Sequence, residues 1–406
     1  MRVLLAHKFF YRRGGAELFF LETGNILERH GHQVAYFSTR HPENLPSRFS
    51  SYFVEPPRYL DGSILKRVCG IGRLIYSIEA KRQFARLLRD FQPDLVHAFH
   101  LYVHLTPSLL DACAAAGVPV VMSCNDYKHI CPNYKLYHHG RICEACRGGR
   151  FYHAVLNRCC KDSPAFSFAS SLEAYVHKWM GLYSRKVHTY LFASDFMARE
   201  TEKFWTPGSF RWKILHNPLI SREPTSSRRE DDYILYFGRL AEEKGVDVLI
   251  RAMRYIPEVS LKIVGEGDQE KMLKELARRL GLRNIEFLQP GWGEYLDGVL
   301  KRSRFVVLPA KWYENIPYTI LQSFLSGKAV IGSNRGGIPE LVRDGVFGLL
   351  VPPGESRTLA GRIKELWDDP ARAVSMGAAA RQYVHEQFNE ERFYRTLTGI
   401  YRDVLS

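Results

Sequence analysis

Tyr236-Phe237-Gly238-Arg239-Leu240, followed closely by Lys244-Gly245 and answered further along by Glu314-Asn315-Ile316-Pro317 leading into Ile320-Leu321-Gln322, decides how this chain reads. A short apolar run ends in an Arg and a Lys, and in the same half of the chain a carboxylate stands just ahead of a helix. Arg presents a planar fork of donors for phosphate oxygens and Lys a mobile point charge. A helix opening near Ile316 adds backbone N–H groups and the positive end of its dipole. Together these meet the needs of a diphosphate seated between Arg239, Lys244 and the helix start. Taken alone, the pair reads as a surface Arg and Lys beside a turn; the later motifs, in their order, favour the site.

Outward from that stretch, short apolar runs alternate with helix-length amphipathic ones, the pattern of α/β domains with parallel sheets. In the second half, Tyr233 to Phe237, Leu261 to Val264, Ile285 to Leu288, Phe305 to Leu308 and Ala329 to Ile331 read as strands buried on both faces. In the first half, Arg2 to Ala6, Gln33 to Phe37, Leu95 to Ala98 and Val118 to Met122 read as strands, and Ala16 to Arg29 as a helix closed by Gly31. The polar run Glu223 to Asp232 reads as a linker, and Ala371 to Ser406 as two helices with no strand between them. At 406 residues the chain fits two domains of about 200 residues each.

Gly238-Arg239-Leu240 with Lys244-Gly245, Val264-Gly265-Glu266-Gly267, the Glu314 segment, Ser326-Gly327-Lys328-Ala329-Val330 and Gly336-Gly337-Ile338-Pro339-Glu340-Leu341-Val342 resemble the successive signatures of glycosyltransferase family 4, in particular a subset with a cysteine-bearing insertion. Gly14-Gly15-Ala16-Glu17 resembles that family's amino-terminal glycine loop, and Leu215-His216-Asn217-Pro218 its interdomain segment, so the resemblance covers nearly the whole chain. It implies a GT-B fold: two Rossmann-like parallel-sheet domains facing a cleft, an acceptor-side domain over residues 1–215, a donor domain over 216–380, and a helical tail over 381–406 crossing back to the first. It also implies transfer of a hexosyl or related group from a UDP- or GDP-sugar with retention, without a metal, to a saccharide or lipid-linked acceptor in surface polysaccharide or glycolipid assembly.

On the donor side the resemblance assigns Arg239, Lys244, Gly265, Glu314, Asn315, Ile316 and Gln322, with Gly14 and Gly15 from the first domain. The resemblance implies that Arg239 and Lys244 stabilise the leaving diphosphate and that Glu314 positions the sugar. Members of the family usually carry a second Glu where this chain has Gln322. Exchanging a charged acceptor for an amide costs on the order of 1 kcal/mol, near tenfold in donor affinity at most.

On the acceptor side, Asp94 to Tyr102 resembles a strand end that sends a His into the cleft; here His100 is the candidate and His97 reads as a core residue. Asp126, in Asn125-Asp126-Tyr127 after the next strand, is placed to bond an acceptor hydroxyl or act as a base; a turn-forming Asp is the other reading. Cys131, Cys143, Cys146, Cys159 and Cys160 are five of the chain's eight cysteines, inside an insertion spanning residues 124–162. Cys143-Glu144-Ala145-Cys146, with Cys131 before it and Cys159 or Cys160 after, supplies four thiolates for a structural zinc. Disulfides, an iron–sulfur cluster and unligated thiols are the other readings.

The formal charge of +14 divides into +10 over residues 1–205 (27 Lys and Arg against 17 Asp and Glu) and +4 over the remainder. A basic first half points to an anionic partner. Ile64, Val68, Ile71, Ile75 and Ile78 recur at helical spacing among Lys and Arg up to Leu88, which suits either an anionic membrane surface or an ordinary domain helix. No recognition helix, RNA-binding signature or aromatic platform accompanies the charge, so nucleic acid is not an expected partner. No run reaches the roughly 18 apolar residues of a membrane span, and the expected location is cytoplasmic, with peripheral attachment to the inner face of the membrane as an option. A non-catalytic nucleotide-sugar sensor and a nucleotide-sugar epimerase are the competing readings.

Overall fold

Val3, Leu4, Leu5 and Ala6 are almost wholly buried, as a strand covered on both faces must be. They belong to the first of two six-stranded sheets in the computed structural model, which describes residues 1–57, 72–206, 208–218 and 232–406. The chain divides into two compact units, one comprising Met1–Leu136, Cys143–Pro218 and Glu390–Ser406, the other Tyr137–Ile142 and Leu219–Asn389.

The first sheet begins with β1 (Arg2–Ala6), β2 (Gln33–Phe37), β3 (Leu95–Ala98) and β4 (Val120–Cys124). A separate two-stranded hairpin, β5 (Tyr137–His138) with β6 (Arg141–Ile142), comes next in the chain, and β7 (Thr189–Phe192) and β8 (Trp212–Ile214) complete the first sheet. That sheet is parallel with order β2-β1-β3-β4-β7-β8, so the strand order reverses between β1 and β3. The helices of the first unit up to Pro218 are α1 (Gly15–Arg29), α2 (Ile78–Phe91), α3 (Ser108–Ala116), α4 (His153–Leu156), α5 (Pro164–Trp179), α6 (Leu182–Lys186) and α7 (Asp195–Phe204).

Residues 58–71, with Ile64, Val68 and Ile71 of the basic amphipathic segment, lie outside the described residues. From Ile78 onward that segment forms α2, a domain helix. Ser77 caps it by accepting from the Ala80 N–H, and Phe84, Leu87, Leu88 and Phe91 are buried, with Phe84 edge-on to Phe37 of β2. Of the expected linker only Asp232 is described.

The second unit holds β9 (Ile234–Phe237), β10 (Leu261–Val264), β11 (Ile285–Leu288), β12 (Val306–Leu308), β13 (Val330–Ser333) and β14 (Gly348–Val351) in the parallel order β11-β10-β9-β12-β13-β14. This is the Rossmann order, reversing between β9 and β12, where open α/β sheets bind ligands at the carboxyl ends of their strands. The helices here are α8 (Val246–Met253), α9 (Glu270–Arg279), α10 (Glu294–Arg302), α11 (Tyr318–Leu325), α12 (Ile338–Leu341), α13 (Ser356–Asp368) and α14 (Pro370–Gln387).

The last helix, α15 (Glu390–Leu405), belongs to the first unit. Phe393, Leu397, Ile400 and Tyr401 form its buried stripe, with Phe393 edge-on to Phe19 of α1 and the Tyr401 hydroxyl 2.7 Å from His97 Nδ1 of β3. Arg29 closes the join at the surface, 2.8 Å from Glu390. Among the described residues no helix is long and apolar enough to cross a membrane.

Candidate active site

At the reversal point of the second sheet, β9 delivers Arg239 and Lys244, and β12 delivers Glu314. The Lys244 ammonium lies 2.5 Å from the Glu314 carboxylate and 5.1 Å from the centre of the Trp312 ring, and the Glu314 side chain is only 6% exposed. Arg239 donates to Glu243 at 2.6 Å with half of its own side chain still in solvent. The second unit thus places one cation half-open and one drawn down onto a buried carboxylate.

Glycines bring these loops to their spacing. A Cβ on Gly265 would fall 1.9 Å from the Gly238 carbonyl oxygen, so the loops after β9 and β10 pass backbone against backbone. Gly336 has φ +64° and would bring a Cβ within 2.4 Å of the Glu314 carbonyl, which also accepts the Gly337 N–H at 2.7 Å. The Gly336-Gly337 turn therefore holds the segment that carries Glu314. Asn315 is half-buried and Ile316 buried beside it. The helix expected near Ile316 opens instead at Tyr318, because Pro317 takes the capping position; Gln322 lies half-buried on that helix.

In the first unit the reversal point gathers a second set. Gly14 caps α1 and Gly15 opens it. His7 and Lys8 lie just past β1, His100 and Tyr102 past β3, and Asp126 past β4. Asp126 accepts from the Tyr102 hydroxyl, takes the Lys128 N–H at 3.0 Å, and lies 3.7 Å from His100 Nε2. Lys8 Nζ sits 3.7 Å from the centre of the Tyr102 ring. Burial pushes the Lys8 ammonium down to about 8, against the pull of Asp126 and Glu17. Burial likewise keeps His100 and His7 neutral, their rings stacked at 5.5 Å. The Nε2 atoms of both are buried without a hydrogen-bond partner.

Sequence reasoning picks out His100 and Asp126 but passes over Lys8, His7 and Tyr102, which complete the cluster. Their signal is position alone, at the ends of the first and third strands. His97 is a core residue, held between Tyr401 and Ser123 Oγ, the latter at 2.8 Å. Arg12 and Arg13 are exposed, with Arg13 stacked over Phe9.

Both halves match known family profiles: Glycosyltransferase Family 4 over residues 13–219 and Glycosyl transferases group 1 over residues 220–383. The chain belongs to glycosyltransferase family 4.

Among relatives, a glycogen synthase of Mycobacterium tuberculosis is 30% identical over 265 residues, covering 59% of this chain and 63% of that protein. A D-inositol 3-phosphate glycosyltransferase of Corynebacterium aurimucosum is 31% identical, covering 47% of this chain and 49% of that protein. The chain thus aligns with less than two thirds of the length of these relatives. Among solved structures, sucrose-phosphate synthase from Thermosynechococcus elongatus superposes with a TM-score of 0.73 at 18% identity, covering 99% of this chain and 98% of that one. HepE of Anabaena, solved with UDP-glucose, gives 0.63 at 18% identity, covering 99% and 100%. The fold of this family 4 chain is GT-B, with two Rossmann-like domains.

The cysteine segment of this family 4 chain leaves β4 and runs to α5. Cys131 and Cys146 are buried; Cys143, Cys159 and Cys160 are half-buried, and all five are free thiols. Burial first, then their mutual proximity, raises Cys131 to about 11 and Cys159 to about 12, so the thiols sit within electrostatic reach of one another. The donor set suits zinc. The placement is looser than a tetrahedral site: among the described residues, no group of three ligand atoms within 4.8 Å of one another includes a cysteine.

Proposed function

We propose that this chain is a retaining glycosyltransferase that moves a hexosyl group from a nucleoside-diphosphate sugar to a saccharide or lipid-linked acceptor in surface polysaccharide or glycolipid assembly. The Lys244–Glu314 pair at the reversal point of the second sheet carries the reading. In the free protein Glu314 holds Lys244 in reserve; an incoming diphosphate competes for the ammonium, and Glu314 is released to bond hydroxyls of the donor sugar. Arg239, half-open, takes the phosphate oxygens bidentately. The acceptor hydroxyl oxygen bonds to the anomeric carbon as the bond from that carbon to the diphosphate oxygen breaks, and the acceptor proton passes to the departing phosphate. Catalysis comes from orientation and from charge placed where the diphosphate develops it. Two fixed cations supply that charge, which fits transfer without a metal.

On this reading the second unit holds the donor and the first the acceptor, with Asp126, His100 and Lys8 meeting acceptor hydroxyls, Gly14 and Gly15 assigned as phosphate-binding glycines, and the protein working on the cytoplasmic face of the membrane. Names of relatives support a nucleotide-sugar donor without choosing its base. One 34%-identical relative from Corynebacterium glutamicum is a GDP-mannose-dependent mannosyltransferase, and HepE was solved with UDP-glucose. The cysteine set is assigned to structural zinc, with Cys131, Cys143, Cys146 and Cys159 as ligands and Cys160 in reserve; bound there, zinc would fix the fold of the segment.

The test is a panel of radiolabelled UDP-, GDP- and ADP-sugars with membrane lipid extract, beside Arg239→Ala and Glu314→Ala. Donor-specific transfer impaired by both variants is expected. Gln322, in place of a carboxylate, favours a sensor as the second reading. Donor binding without transfer or hydrolysis across the panel would support it, and interconversion of the donor sugar would support an epimerase.

A further inference from the structure

Helix α5 is folded inside out. Its buried positions are polar: Ser167, Ser171, Glu173 and His177. Each is tied inward, Ser167 accepting the Cys160 N–H at 3.0 Å, Ser171 donating to the Phe151 carbonyl at 2.9 Å, Glu173 paired with Lys128 at 2.6 Å, and His177 Nε2 lying 2.7 Å from the Ile75 carbonyl. Its large apolar side chains face solvent instead: Phe168 is 60% exposed, Leu172 40%, Tyr175 38% and Trp179 86%. At about 100° per residue these four fall within an arc of about 60° on the outer side of the helix. Single exposed apolar residues need no explanation, but a contiguous stripe does. The inward polar bonds fix the rotation of the helix, so the stripe has no way to turn toward the core.

The surroundings of the stripe say what covers it. Tyr152, just before α4, and Leu156, at its end, add two more exposed apolar side chains, 48% and 70% in solvent. Between Arg147 and Arg185 the exposed charged side chains are Arg147, Arg150, Arg158, Lys161, Lys178 and Arg185 against Asp162. Aromatic and aliphatic side chains rimmed by cations match the boundary of an anionic bilayer, where rings sit at headgroup depth and each Lys or Arg near the surface adds attraction. A second copy of the chain would bring the same cations face to face.

We propose that the outer face of α5, with Tyr152 and Leu156, docks this protein on an anionic lipid surface. This names the membrane-facing side of the function proposed above and rests on it only for its biological setting.

The experiment is co-sedimentation of the full chain with vesicles of phosphatidylcholine alone or mixed with phosphatidylglycerol, at low and high salt. The wild type is compared with Phe168→Ser/Trp179→Ala and with Lys161→Glu/Lys178→Glu. All four side chains are exposed, and far-UV circular dichroism with urea midpoints checks that each variant is folded. Binding is expected only to phosphatidylglycerol-containing vesicles, weakened by salt and lowered about tenfold or more by either double variant. Equal partition of wild type and variants, absence of binding to anionic vesicles, or a concentration-dependent dimer abolished by the apolar variant would overturn the proposal, the last in favour of self-association. Donor hydrolysis measured without vesicles separates failure of the docking surface from failure of the transferase reading.

Discussion

The Lys244 ammonium and the Glu314 carboxylate meet at 2.5 Å although they leave different strands, β9 and β12, on the two sides of the reversal in sheet order. Removing either member separates binding of the leaving group from binding of the sugar. Lys244→Ala is expected to weaken UDP or GDP by about tenfold to a hundredfold, the equivalent of one charge-assisted bond. Glu314→Gln is expected to leave the affinity for the bare nucleotide within about threefold while lowering transfer by about a hundredfold or more. Calorimetric titration with nucleotide, beside initial rates with the sugar nucleotide, reads both; equal losses in the two assays for Glu314→Gln would contradict its role at the sugar.

Gln322 lies on α11, the helix entered directly from the Glu314 segment. Gln322→Glu is expected to tighten donor binding by up to about tenfold, since a carboxylate accepts charge-assisted bonds from hydroxyls where an amide offers a neutral one. A variant with unchanged or weaker donor affinity in the same titration would remove Gln322 from the donor site.

Five histidines of the first unit, His7, His97, His100, His104 and His129, are kept neutral by burial, with His97 pushed down to about 3 and His104 and His129 to about 4. In the unfolded chain each takes up a proton near about 6.5. Their contribution to stability is therefore complete above that pH and is lost as the pH falls from about 6.5 toward the folded values, because the unfolded state then binds more protons. Urea unfolding is expected to lose at least about 1.4 kcal/mol between about pH 6.5 and about pH 5.5. A flat profile over that window would mean that these side chains are protonated in the folded protein.

Tyr401→Phe removes the hydroxyl beside His97 Nδ1 and leaves a buried ring nitrogen without its partner from α15. The expected cost is about 1 to 3 kcal/mol, visible as a lower urea midpoint with an unchanged slope. Since His97 lies within β3 and not in the cluster beyond its end, transfer rates at saturating donor are expected to stay within about twofold.

Release of metal by a thiol-reactive mercurial, read with a zinc-sensitive dye, is expected to yield about one zinc per chain from protein purified without chelator. Cys143→Ser is expected to abolish it. Zinc-free protein with all thiols titratable would return the cysteines to their reading as unligated thiols.

How much of the fold and site is legible in the sequence varies with the physics of each element. Apolar runs announce the strands, and β1, β2, β3, β10 and β11 fall where the sequence places them, although β11, at the edge of its sheet, is only half-buried with Glu286 exposed where burial on both faces is expected. The strand expected from Val118 begins instead at Val120, because the Val118 N–H is taken by the Cys113 carbonyl in closing α3 behind Gly117, and Pro119 has no N–H to give. Motif order singles out Arg239, Lys244, His100 and Asp126, but nothing in the sequence groups Lys8 and Tyr102 with Asp126, since that cluster exists only once three strand ends are brought side by side. The orientation of α5 is hidden for another reason. An apolar stripe on a helix ordinarily points inward, and the inward bonds made by Ser167, Ser171, Glu173 and His177 turn it out.

The assignment of Glu390–Ser406 to the first unit makes that unit discontinuous in the chain, with the second interposed between Pro218 and Glu390. During synthesis the second unit has nearly all its residues off the ribosome while the first still lacks the helix that covers His97 and Phe19. The order of completion is thereby inverted: the domain begun first is sealed last, and until Tyr401 emerges its sheet has an open apolar flank for chaperones to guard.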